Sequence, residues 1–321
     1  MALPLAPPLP PQLARSRATL PDGDGWAYEP KWDGFRAIAF VDGAEAHLQS
    51  RNGKDLTRYF PELAFEPGRY VLDGEIVIFA QGEGTADEVG RQEFNLLGQR
   101  IHPAASRIAL LAEQTPARYV AFDLLALDDE TWLERSYDER RAGLEALVRA
   151  PVDLTPVVLA PGDAEAWLHG AEGVIAKERA AAYRPGERTG MVKVKRVRTI
   201  DCVVVGWRPG KADGTLGALI LGLYAEDGAL REIGHSSGFS AKRKRELPAE
   251  LAPYETGQRG SGEPSRWSAG RDLEWIALRP ELVVEITFDH TSDGRIRHGA
   301  KVQRWREDKD PGECRIEQLQ S

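Results

Sequence analysis

Three runs constrain the fold more than anything else in the chain: "FRAIAFV" (35–41), "RYVLDGEIVIF" (69–79) and "RYVAFDLLAL" (118–127). Each is rich in β-branched and aromatic residues, and turn-forming residues punctuate the stretch that holds the first two, so they read as strands. "GWAYEPKW" and "AEAHLQSR" join them, and Asp42-Gly43 and Asn52-Gly53 supply the intervening turns. Helical spacing is confined to fewer places. One helix is expected from Gln92 to about Arg100, and another near 106–113. "SYDERRAGLEALVRA" starts at Ser136 or Tyr137 and puts Leu144, Leu147 and Val148 on one face; "DAEAWLHG" is a short helix. "EGVIAKE" and "GMVKVKRV" add two more strands. The mixture predicts an α+β fold with largely antiparallel sheets.

Near residue 199 the character changes. "IDCVVVGWRPG", "LGALILGLY", "LREIGHSS" and "LVVEITFDH" are strands separated by Gly and Asp turns, with one helix at "SAKRKRELPAELAPY". About five strands and one helix predict a small β-barrel of OB type. A length of 321 residues fits two domains. The expected division is a Pro-rich N-terminal arm at 1–24, laid in extended form over a first domain at 25–198, and a barrel at 199–321. The stretch 255–272, "ETGQRGSGEPSRWSAGRD", reads as a long loop within the barrel.

Composition narrows the classes. The two cysteines, Cys202 and Cys314, rule out a disulfide scaffold or a four-cysteine zinc site and point to a reduced, cytoplasmic setting. No apolar run reaches the roughly 20 residues needed to cross a bilayer, and the proline-rich N-terminus lacks the layout of a signal peptide. The net charge of −8 argues mildly against nucleic acid. Local basic clusters, "KVKRVR", "AKRKRE" and "GRIRHGAKVQRWR", argue the other way.

Several short motifs carry chemistry-bearing residues, and each alone has an ordinary explanation. "EPKWDGFR" sets Lys31 at the mouth of a strand, with Glu29 and Asp33 two residues to either side. "SRNG" sets Arg51 on a turn, and "LDGEIVIF" is expected to start a strand at Glu75. "FDLL" carries Phe122 in an apolar run. "EGVIAK" has Glu172 before a strand and Lys177 at its end, and "KVK" puts Lys193 and Lys195 on one strand face by period two. "RWREDK" (304–309) is an ordinary charge run when taken alone.

Taken in order, KWDGFR, LDGE, AFDLL, EGVIAK, KVK and REDK resemble the covalent nucleotidyltransferases, the superfamily of polynucleotide ligases and capping enzymes. More closely they resemble bacterial ATP-dependent DNA ligases of the compact C type, from about Gly25 to the end. The resemblance implies an adenylation domain followed by an OB-fold barrel, a lysine–AMP intermediate on Lys31, AMP transfer to a 5′-phosphate, and attack by a 3′-hydroxyl. By this resemblance Lys193 and Lys195 orient the α-phosphate, Glu29 reads the adenine amine, and Phe122 stacks on the base. Lys177, Arg36 and Arg51 join the nucleotide or nick contacts, together with Arg188 or Arg184. Glu75 and Glu172 serve Mg²⁺ or Mn²⁺, with Glu75 alternatively on the ribose. Arg306, Asp308 and Lys309 grip the leaving pyrophosphate, with a hinge at 196–200.

A lysine attacks phosphorus only as the free amine, and its ordinary pKa is about 10.4. Lys177, Lys193 and Lys195 are the expected cationic neighbours that lower it, with Arg36 or a metal neutralising Asp33. ATP and nicked duplex DNA are the implied ligands. Also implied are a monomer near the nucleoid, a repair role with a repair polymerase as partner, and no separate N-terminal DNA-binding domain. A clamp role falls to 255–272. The rival readings are an RNA ligase and a GTP-dependent capping-type enzyme.

Overall fold

The computed structural model describes residues 3–80, 89–195, 198–261, 274–289, 291–292, 294–296 and 299–319. The chain divides into two compact units, Met1–Arg196 and Val197–Ser321.

The first unit is built on two sheets. The larger runs in the order β4 (Glu45–Ser50), β3 (Phe35–Gly43), β5 (Gly68–Val77), β6 (Arg118–Leu127) and β7 (Glu130–Thr131), with β8 (Asp153–Leu154) parallel to β6. Its apolar runs are continuous because both faces are covered. Ala37, Ala39, Val41, Leu72 and Ile76 enter a core with Leu97 of α1 (Phe94–Arg100) and Leu144 of α3 (Tyr137–Leu147). Ile38, Phe40 and Val71 point to the opposite face and pack with Tyr183. The Asp73-Gly74-Glu75 triplet is not at a strand start, as the sequence suggested. Glu75 is the eighth residue of β5, and the β5–β6 register shifts on either side of Leu72–Asp73. The run "RYVLDGEIVIF" is one strand because Gly74 lets the Tyr119 ring lie against the backbone.

The smaller sheet has the order β1 (Arg15–Ser16), β10 (Met191–Val194), β9 (Val174–Glu178) and β2 (Trp26–Pro30). The N-terminal arm therefore contributes a strand. Its two residues pair in parallel with Val192 and Lys193, a pairing too short to read from sequence. In chain order α2 (Ala105–Gln114) lies between β5 and β6, and α4 (Pro161–Gly170) between β8 and β9; Ala164 of α4 covers the apolar face of the small sheet.

The second unit has more strands than the expected five. Among the described residues seven form one sheet: β11 (Arg198–Pro209), β12 (Leu216–Tyr224), β13 (Leu230–Ser236), β14 (Glu255–Ser261), β15 (Glu274–Leu278), β16 (Val283–Phe288) and β19 (Lys301–Trp305). The small pair β17 (Thr291–Ser292) and β18 (Arg295–Ile296) stands apart from it. The twelve-residue β11 pairs with β16 through its first half and with β12 through its second. A strand shared in this way curls the sheet into a half-barrel of the OB kind, with α5 (Ala241–Leu251) burying Leu247 and Leu251 in the same core. The stretch read as a loop at 255–272 begins as strand: Gly260 lies flat against Trp275 of β15, so its lack of a side chain marks close packing. Residues 262–272 of that stretch lie outside the described residues, as do 196–197 of the expected hinge. Among the described residues no helix is long and apolar enough to cross a membrane.

Candidate active site

Register explains how six separated motifs meet. In the small sheet, β2 and β10 flank β9 antiparallel, and Glu29 and Lys193 both stand opposite Ile175. Side chains in such a row share a face, and the face repeats every second residue. One face thus carries Glu29, Lys177 and Lys193, with Lys31 and Lys195 one step past the strand ends. The other face carries Tyr28, Val174, Ala176 and Val192, which are packed together. The alternation in "KVK" is the sequence trace of this division.

At the end of that sheet the Lys31 N–H donates to the Gly173 carbonyl at 2.8 Å. Gly173 has φ +146°, and a Cβ there would lie 2.3 Å from the Val194 carbonyl oxygen. The glycine lets strand ends carrying Lys31 and Lys195 close on one point. Its neighbour Glu172 receives both: the Lys31 ammonium bonds to Oε2, and Lys195 Nζ lies 2.6 Å from Oε1. Burial pushes the Glu172 carboxyl upward, but Lys31 and Lys195 more than offset this and hold it below its ordinary pKa.

The larger sheet supplies the opposite wall. Arg36 stands opposite Glu75 across β3 and β5. Its guanidinium makes a two-pronged pair with Asp73 at 3.0 and 2.6 Å and sits 5.4 Å from the Phe122 ring centroid. The sequence predicts that Arg36 or a metal neutralises Asp33; Arg36 is paired with Asp73 of the neighbouring strand. The backbone N–H of Asp33 donates to Gln92. Gly34 is needed here because a Cβ would lie 2.2 Å from the Ile76 carbonyl oxygen. Glu75 is pushed up to about 8 by burial, against the pull of Lys31 and Arg36. Lys193 is depressed by burial and then by the cations Lys195, Lys31 and Arg51. Trp32 is buried, donating to the Thr155 hydroxyl at 3.0 Å and meeting Phe79 edge-on.

A buried quartet lies at the far end. Lys177 is 3.0 Å from Glu29, 3.7 Å from Asp123, and donates to the Phe122 carbonyl at 2.8 Å. Arg140 holds Asp123 at 2.7 Å. Two cations and two carboxylates balance, which is the condition for keeping them out of water. Tyr137 donates to Glu29 at 2.7 Å, and Lys177 lies 4.9 Å above the Phe122 ring. Lys177 is thus the partner of Glu29 and not the cationic neighbour of Lys31 expected from sequence. Sequence reasoning missed Tyr137, Arg140, Asp73 and Tyr183 as site residues. An aspartate inside the apolar run "AFDLL" was the available signal.

The remaining predicted residues stand elsewhere. Arg51 is exposed on the 50–53 turn. Arg188 is exposed and donates to the Ala14 carbonyl at 3.4 Å, whereas Arg184 pairs with Glu134. In the second unit Arg306 is held by Asp201 at 3.0 Å and by Asp308 at 2.9 Å, and Lys309 pairs with Glu313.

Comparison with known proteins identifies the family. Residues 11–195 match the family described as ATP dependent DNA ligase domain, and residues 212–309 match the ATP dependent DNA ligase C terminal region. The chain is 44% identical to DNA ligase C1 of Mycolicibacterium smegmatis over 99% of its own length and 96% of that protein's. It is 43% identical to DNA ligase C of Mycobacterium tuberculosis, covering 100% and 96%. Among solved structures, a mycobacterial DNA ligase D complexed with ATP and MES aligns at a TM-score of 0.53 and 29% identity, covering 95% of this chain and 97% of that one. With its paired lysines on a shared glutamate and both of its units matched, the chain belongs to the ATP-dependent DNA ligase family.

Proposed function

We propose that this chain seals nicks in duplex DNA through a covalent Lys31–AMP intermediate. The observation that carries the reading is the convergence of Lys31 and Lys195 on Glu172, with Lys31 and Glu172 close enough to Glu75 for their charges to act on it and Arg36 beside Glu75 in the next strand. The Lys31 amine attacks the α-phosphorus of ATP; an N–P bond forms, the P–O bond to pyrophosphate breaks, and the ammonium proton leaves. Lys31 is engaged by Glu172 at rest, so the nucleophile is freed to reach phosphorus when Glu172 is drawn elsewhere. Lys193 and Lys195 lower the repulsion met by an incoming triphosphate. Phe122 offers a flat face to the base, and Glu29, fixed by Tyr137 and Lys177, is the acceptor for the adenine amine. AMP then passes to the 5′-phosphate of the nick, and the 3′-hydroxyl displaces it. Arg36 and Arg51 suit the phosphate contacts of these steps because a guanidinium binds phosphate in two-pronged fashion.

Glu75 and Glu172 fit a divalent cation. They are hard oxygen donors that feel each other's charge, and among the described residues no cluster of three or more ligating groups exists. Two carboxylates without a cage suit Mg²⁺, which keeps water and shares substrate phosphates. When bound, Mg²⁺ neutralises phosphate charge. Nicked duplex DNA is the polynucleotide partner. The basic residues of α5 and β19 are the sequence's candidates for backbone phosphate contacts, and binding through them weakens with salt.

The test is labelling with ATP carrying a radioactive α-phosphate. The wild type should acquire one label that is stable to alkali and lost in acid, as a lysine phosphoramidate is, and Lys31→Ala none; a labelled Lys31→Ala protein would sink the reading. Labelling by ATP but not GTP is expected, and the nicked DNA duplex should be sealed.

A further inference from the structure

The N-terminal arm reaches the site through hydrogen bonds that the adenylation chemistry described above does not use. Gln12 is buried. Its side-chain amide donates to the Thr189 carbonyl and its side-chain oxygen accepts from Arg184 N at 3.2 Å. On either side of it, Leu13 N donates to Glu187 and Gly186 N donates to Pro11. Further out, Leu9 exchanges two hydrogen bonds with the buried side chain of Gln49, at 2.8 and 2.7 Å. The arm is therefore fixed at both ends of this stretch.

The consequence lies at Tyr183. The Gln12 backbone N–H donates to the Tyr183 hydroxyl at 3.0 Å. With that lone pair taken, the hydroxyl proton is directed to Asp73 Oδ2, 2.6 Å away. Asp73 has no exposed surface and is the carboxylate that holds the Arg36 guanidinium. All three groups are enclosed, so the relay has one arrangement, and it sets where Arg36 stands over Phe122.

We propose that Gln12 and Tyr183 are positioning residues for Arg36, so that the proline-rich arm is a working part of the nucleotide site. The inference rests on the reading of Arg36 as a nucleotide or nick phosphate contact. A guanidinium displaced by about 1 Å loses a large part of its effect on a developing charge.

The experiment is a double-mutant cycle in the full chain, read as the single-turnover rate of lysine adenylylation. Gln12→Ala, which keeps the backbone N–H but removes the two side-chain bonds that seat it, and Tyr183→Phe are each measured alone and combined with Arg36→Ala, with folding followed by circular dichroism. Each single variant should slow adenylylation about tenfold. In the Arg36→Ala background each should add less than about twofold, because the relay then has nothing to position. Additive losses, an inert Tyr183→Phe, or an inert Arg36→Ala would each overturn the proposal. Should Gln12→Ala unfold the arm, Tyr183→Phe decides alone, since it keeps the ring in its packing. An inert Arg36→Ala overturns the underlying reading of Arg36 along with the proposal, whereas additive losses or an inert Tyr183→Phe beside a slowed Arg36→Ala overturn the proposal alone.

Discussion

Glu29 shows what single residues contribute beyond their motif. Its carboxylate is buried and already holds a tyrosine hydroxyl and a lysine ammonium. Tyr137→Phe removes the hydroxyl but keeps the ring, leaving the Glu29 carboxylate one fixed donor short. ATP binding should weaken by about 1–2 kcal/mol, with a smaller preference over GTP; measured Kd values for both nucleotides check this. Arg140→Ala leaves Asp123 with Lys177 at 3.7 Å as its remaining cation. Loss of one partner from such a buried group should cost about 3–5 kcal/mol of stability, seen as a lower urea midpoint. The motif residues were legible because each sits in a local pattern: a lysine after a strand, alternating lysines, an acid before an apolar run. Tyr137, Tyr183 and Gln12 were not, because their partners lie 108, 110 and 171 residues away in the chain. Contacts of that separation leave no periodic trace.

Elements were legible where both faces or one face of a strand follow period two, and illegible where pairing alone makes them. β3, β5 and β6 announce themselves by apolar content; β1 consists of an arginine and a serine, strand only because β10 lies beside it. Residues 255–261 misled because glycine reads as loop, whereas Gly260 is there to admit the Trp275 ring. Helix α3 shows the opposite case. Ser136 and Glu139 form a complete capping box, so the sequence fixes its first turn and hence where Tyr137 starts. Ser136→Ala should cost about 1 kcal/mol and reduce adenylylation through Tyr137. Gly173→Ala is more severe: the added methyl meets the Val194 carbonyl, and φ +146° is strained for any side chain. Adenylylation should fall at least as far as in Lys195→Ala, and an active, stable Gly173→Ala protein would contradict the register argument.

Each unit carries its own buried clusters, several in the first and one in the second among the described residues, and the two cysteines both lie in the second. Thiol alkylation under increasing urea therefore reports the opening of the barrel unit alone. Both thiols are buried, and burial raises their pKa: Cys314 from 9.0 to about 11, and Cys202 well above its ordinary value. The sign follows from linkage. Between those values the folded unit keeps a proton that the unfolded chain gives up. The thiols' contribution is thus intact below pH 9 and lost as pH rises towards 11. The urea midpoint for alkylation, corrected for the intrinsic rate of the unfolded chain, should be flat from pH 7.5 to 8.5 and fall from 9 upward. In Cys314→Ala, followed through Cys202, the fall should be shallower. Parallel profiles in the two proteins would mean that the alkaline loss comes from groups other than Cys314.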